Sequence, residues 1–161
     1  MSTRSTLLMA ALLIFLAPLT SMADGNDEEE PIGDSSERWA RARAMLLPAC
    51  DNYLGTFTTQ KERDKWNKRM TDRVKQHVMD GAPQNEQAIF QALALDWVAG
   101  NEGKLRKKDP GAIKIACLFF KRFMDENIPP PNMMRQRLSL KDCREMVDIL
   151  KDMVADKRKK S

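Results

Sequence analysis

The sequence predicts an all-α fold, a single small bundle of about five helices that follows a cleaved secretory leader. Apolar residues recur at spacings of three and four along successive segments, the period of one helix face, with no run of strand alternation. Capping residues stand at the start of several of these segments. Only 7 Gly and 1 Tyr occur in 161 residues, which argues against a turn-rich β sandwich.

Composition narrows the class further. Charged residues make up 31% and hydrophobic ones 42%, close to globular averages, so neither a disordered tail protein nor a polytopic membrane protein is expected. The length suits one domain.

Met1 to Ala23 carry Arg4 as their only charge, then an apolar run from Leu7 to Leu19, then Ser21-Met22-Ala23. That layout is a signal peptide with small residues at the −3 and −1 positions, cleaved after Ala23. A transmembrane anchor needs about 20 apolar residues, and Pro18, Thr20 and Ser21 interrupt the run. The expected location is therefore periplasmic or secreted.

Residues 24–34, DGNDEEEPIGD, form an acidic lead-in expected to be flexible. They lack the alternating oxygen ligands and central Gly of a calcium loop. Asp34 with Glu37 proposes a capping box, so a helical domain over 35–158 begins near Ser35. Trp39, Ala42, Leu46, Ala49 and Tyr53 form the first apolar stripe, which Pro48 is expected to kink or split. Thr59 and Glu62 open a highly charged second helix that stops at Gly81. Its stripe is thin, Trp66, Met70, Val74 and Val78, as befits a helix on the outside of a bundle.

The third helix is predicted over Pro83 to Ala99 and is apolar round more than half its circumference, with Ile89, Phe90, Leu93, Trp97 and Val98. A polar loop from Gly100 to Lys108 follows. Asp109 and Pro110 then start a fourth helix through Met124, broad in its apolar face. Pro129, Pro130 and Pro131 force an extended corner. Ser139 and Asp142 cap the fifth helix, with a stripe of Leu140, Cys143, Val147, Leu150 and Val154; residues 159–161 end the chain as a basic tail. The third and fourth helices are expected to be buried, the second and fifth half-exposed.

Three cysteines, Cys50, Cys117 and Cys143, follow the leader. In an oxidising compartment one disulfide and one spare thiol are expected. Cys117 and Cys143 lie at similar distances either side of the Pro130 turn, which favours their pairing across a helical hairpin; pairing of Cys50 with either is the alternative.

Catalytic chemistry finds little support. His77 is the single imidazole, near the end of an exposed helix, where its proton suits the helix C-terminus. A thiol enzyme needs an accessible, electropositive niche, whereas Cys117 sits within the apolar run IACLFF. Paired carboxylates for glycoside cleavage remain an alternative, yet most acids stand three or four residues from a base, the pattern of solvated helix faces. The methionines follow helical spacing except for the adjacent Met133 and Met134, unlike a copper carrier. No cofactor or metal is expected.

Charge is more informative. Residues 24–37 hold seven acids and no base, while residues 38–161 hold 26 bases and 16 acids. Lys104, Arg106, Lys107 and Lys108 form a basic loop, and Lys157-Arg158-Lys159-Lys160 a basic end. Export points away from nucleic acid and towards an acidic protein partner, an acidic envelope polymer or anionic lipid. In size and class the chain resembles periplasmic inhibitors, toxin-immunity proteins and small envelope chaperones, although none of their motifs can be laid on these residues. The resulting expectation is a non-enzymatic binding protein that uses the second helix, the Lys104–Lys108 cluster and apolar anchors Met133 and Met134. A small cell-wall or lipid hydrolase and a peripheral membrane protein are the alternatives.

Overall fold

Capping chemistry sets the helix starts. A computed structural model describes residues 31–32, 36–128 and 138–161; the leader, most of the lead-in, Asp34 and the Pro129–Met134 corner lie outside the described residues. Five helices make up an all-α bundle: α1 (Ser36–Phe57), α2 (Gln60–Met79), α3 (Glu86–Arg106), α4 (Pro110–Asp125) and α5 (Leu140–Lys160). No strand is present among the described residues. Thr59 with Glu62, and Ser139 with Asp142, both close capping boxes, and the Asp109 carboxylate accepts from the Ala112 N–H. Asn85 caps α3 by accepting from the Ala88 N–H.

Three helices end alike. After α2, Gly81 takes φ +84 while the Ala82 N–H donates to the His77 carbonyl; Lys108 (φ 54) and Asn127 (φ 51) occupy the same left-handed position after α3 and α4. In each, the next N–H reaches back five residues to a carbonyl of the last turn, a Schellman closure.

Two boundaries differ from expectation. Pro48 lies inside an unbroken α1. Its missing N–H orphans the Ala44 carbonyl, and both residues are exposed, so water satisfies that group. The loop expected from Gly100 is instead the last two turns of α3, because Leu105 is fully buried and anchors them.

Packing follows the order α5, α1, α4, α3, α2: α1 lies against both α5 and α4, α4 against α3, and α3 against α2. The anticipated hairpin between the last two helices is therefore replaced by a layer in which α1 separates them. Burial on α3 and α4 matches expectation, but α1 is just as central, with Ala42, Leu46, Ala49, Cys50, Tyr53 and Leu54 buried. The α1–α4 pair runs antiparallel. Tyr53 donates to the Pro110 carbonyl (3.2 Å), Lys121 pairs with Asp51 (2.9 Å), and Arg43 reaches Asn127 (3.3 Å).

Aromatic rings hold α2 on. Phe119 of α4 meets Trp66 of α2 and Phe90 and Trp97 of α3, with centroids 4.8, 5.6 and 5.7 Å away. Offset and edge contacts of this kind add to plain area burial. The α1 C-terminus has no basic residue in its own last turn, and cations arrive from elsewhere: the Arg63 guanidinium donates to the Leu54 carbonyl (3.3 Å) and Lys157 to the Thr56 carbonyl (2.8 Å). Both offset the partial negative charge at that helix end.

The lead-in also departs from simple flexibility at one point. Ile32 is buried, and its N–H donates to the Leu138 carbonyl (2.6 Å) beside the start of α5.

Candidate functional site

Sorting the cations by partner separates structural charge from spare charge. Arg41, Lys68, Arg106, Lys114, Lys121 and Arg122 have acidic partners, and Arg43, Arg63, Lys157 and Arg158 bond to carbonyl or amide oxygens of the fold. Lys157 also stands over the Phe57 ring at 4.5 Å. Half of the basic end is thus engaged with α1, and all four of its cations lie within α5, which runs to Lys160.

The basic cluster at 104–108 is a helix terminus. Lys104 and Arg106 occupy the last turn of α3, Lys107 is the C-cap, and Lys108 holds the left-handed position. Arg106 pairs with Glu102. Lys104, Lys107 and Lys108 are exposed without an acidic partner among the described residues. Cations here also suit the helix dipole, so part of this charge has a structural use. Met133 and Met134 lie outside the described residues.

The larger spare charge lies on α2, which holds seven basic and three acidic side chains. Its buried side chains are Trp66, Met70 and Val74, with Arg63 and Thr71 half-buried beside them and most of the remaining positions exposed. Lys65, Arg69 and Arg73 follow one another at i, i+4 and i+8, about 6 Å apart along the axis. All three are exposed and lack an acidic partner among the described residues. The adjacent row, Lys68, Asp72 and Gln76, shares the same open shelf; the Lys68 ammonium bonds to Asp72 (2.7 Å) and holds its carboxyl below the ordinary range. At the end of this helix Val78 is 45% and Met79 79% exposed. The i, i+4, i+8 spacing of this row is present in the sequence, where the consecutive cations at 104–108 are the more conspicuous signal.

Carboxylates do not converge on a catalytic pair in the groove that Gln60, Arg63 and Asn67 of α2 form with Leu118 and Lys121 of α4. That groove, of about 240 Å³, contains Asp125 and Glu126, and each has a base: Lys121 at 3.6 Å and Arg122 at 3.0 Å. His77 is exposed in the last turn of α2. Among the described residues no group of three or more His, Cys, Asp or Glu is placed to hold a metal, and no helix is long and apolar enough to cross a membrane.

The fold brings Cys50, the alternative partner, against Cys117: their sulfurs lie 2.6 Å apart. The reason is topological: α1 packs against both α4 and α5, and its Cys50 faces α4 at Cys117. All three cysteines are buried, and no disulfide joins any two of them. Burial first, then the hydrogen bond with Cys50, pushes the Cys117 thiol up, the reverse of what a nucleophile needs.

Compared with protein-family models, curated proteins and solved structures, the chain has no match.

Proposed function

We propose that this is an exported, non-enzymatic helical protein that binds an acidic protein partner through α2, in the manner of an inhibitor, immunity protein or chaperone. The observation that carries this reading is the row Lys65, Arg69 and Arg73. Like charges four apart on a helix destabilise it by about 0.2–0.5 kcal/mol per pair, and among the described residues none of these three cations has an ion-pair partner. A row of acids on another protein supplies one. Val78 and Met79 at the end of the same helix supply an apolar anchor beside the charged row. Because α2 and α3 form a hairpin joined by six residues, the α3 terminus with Lys104, Lys107 and Lys108 lies at the end where α2 begins and extends the positive field.

The test is charge reversal. Lys65→Glu, Arg69→Glu and Arg73→Glu together, on a protein whose helicity is unchanged by circular dichroism, remove capture of an acidic protein from the native source, and raised salt does the same to the parent. Unchanged capture by the triple variant overturns the proposal. Capture of anionic phospholipid vesicles in place of any protein assigns the same cations to a membrane surface, and turnover of a wall or lipid substrate assigns the chain to the hydrolases.

A further inference from the structure

The α1–α4 interface contains two sulfurs that no binding role uses. Cys50 and Cys117 stand 67 positions apart in the chain, fully buried, with Sγ atoms 2.6 Å apart. Non-bonded sulfurs do not pack so closely, and a disulfide needs only a further approach of about half an ångström, to ~2.05 Å. The register that brings them together does not depend on the cysteines themselves. Tyr53 to the Pro110 carbonyl fixes one end, Arg43 to Asn127 the other, and Asp51 with Lys121 lies one turn of α4 beyond Cys117. Lys121 is itself held charged, above the ordinary range, chiefly by its hydrogen bond to Asp51.

We propose that Cys50 and Cys117 are an oxidation site, and that a disulfide between them clamps α1 to α4. The oxidant is a disulfide, either the oxidised form of a dithiol or glutathione disulfide. One protein thiolate attacks it, displacing a first thiol and forming a mixed disulfide; the second protein thiolate attacks that bond and displaces a second thiol. The two cysteines lose two electrons and two protons, and the oxidant's sulfurs gain both. In the closed bundle neither sulfur is reachable and the Cys117 thiol resists ionisation, so the bond forms while α1 and α4 are still apart and is sealed when they close. Its product is a structural bond, inert to reductant in the folded state.

The test uses the full chain, unfolded with reductant and refolded in a mixture of reduced and oxidised glutathione. After alkylation and digestion without reductant, the expected map links the Cys50 peptide to the Cys117 peptide and recovers Cys143 alkylated. Cys143→Ser keeps the link; Cys50→Ser and Cys117→Ser each lose it. The same oxidised protein, reduced only after denaturation and then refolded in reductant, melts on the order of 10 °C lower, a comparison that needs no variant to fold. Reductant without denaturant leaves the link intact. A Cys117–Cys143 link, a link between two chains, or three alkylated cysteines from the oxidising refold overturns the proposal.

Discussion

Trp66 of α2 meets Phe119 of α4 edge to face, with centroids 4.8 Å apart and planes at 89°. Few other apolar contacts hold α2, since only Met70 and Val74 are also buried on it. Trp66→Ala is therefore predicted to lower stability by about 3–5 kcal/mol, read from chemical denaturation. Hydrogen exchange should show α2 losing protection first, whereas Lys61→Ala, at an exposed position, stays within about 0.5 kcal/mol of the parent. Equal protection of α2 and α4 in the Trp66 variant contradicts the role given to this ring pair.

Tyr53 is the single tyrosine, so its ionisation can be read without assignment. Burial first, with the neighbouring Cys117 and Asp109 adding to it, holds its phenol well above the ordinary value of 10.0. Folded protein is predicted to show no tyrosinate absorbance near pH 10, while the denatured chain titrates there. For a group whose folded pKa is raised, the stabilisation is complete below the unfolded value and is lost as pH rises beyond it. Denaturation midpoints should therefore fall above about pH 10 in the parent, and fall less steeply from this source in Tyr53→Phe. A folded-state tyrosine titrating at its ordinary value contradicts the burial and the bond to the Pro110 carbonyl.

Lys108 occupies a left-handed position at φ 54 that Gly81 fills after α2. A side chain there costs about 1–2 kcal/mol relative to glycine. Lys108→Gly is predicted to stabilise the protein by about 1 kcal/mol, measured by urea unfolding. If the α3 terminus contributes to the positive surface, the same variant weakens partner capture while the fold becomes more stable. Loss of stability instead means that the lysine side chain makes a contact that outweighs its backbone strain.

Much of the fold was legible because its signals are local. The Thr59–Glu62 and Ser139–Asp142 boxes, Asp109 before Pro110, and the spacing of Trp66, Met70 and Val74 each act within one helical turn. What escaped depended on distant partners. The polar stretch from Gly100 to Lys108 reads as a loop, and the buried Leu105 anchors its first two turns as helix. Pro48 is tolerated because the carbonyl it orphans faces water, a matter of which side of α1 is packed. Symmetry about the Pro130 corner suggested Cys117 with Cys143, and no chain spacing reveals that α1 lies between their helices. The candidate surface was half legible for the same reason: a run of consecutive cations is conspicuous, but Lys65, Arg69 and Arg73 become notable only when their neighbours are seen to lack acids.

The most direct measurement places a photo-crosslinking residue at Arg69, and a second at exposed Lys151 on α5 as control, in protein returned to its native source. A protein rich in acidic residues at the crosslinked surface, captured from Arg69, absent from Lys151 and lost at high salt, is the predicted outcome. Equal labelling from both positions, or label on lipid alone from Arg69, contradicts recognition of an acidic protein by the α2 cation row.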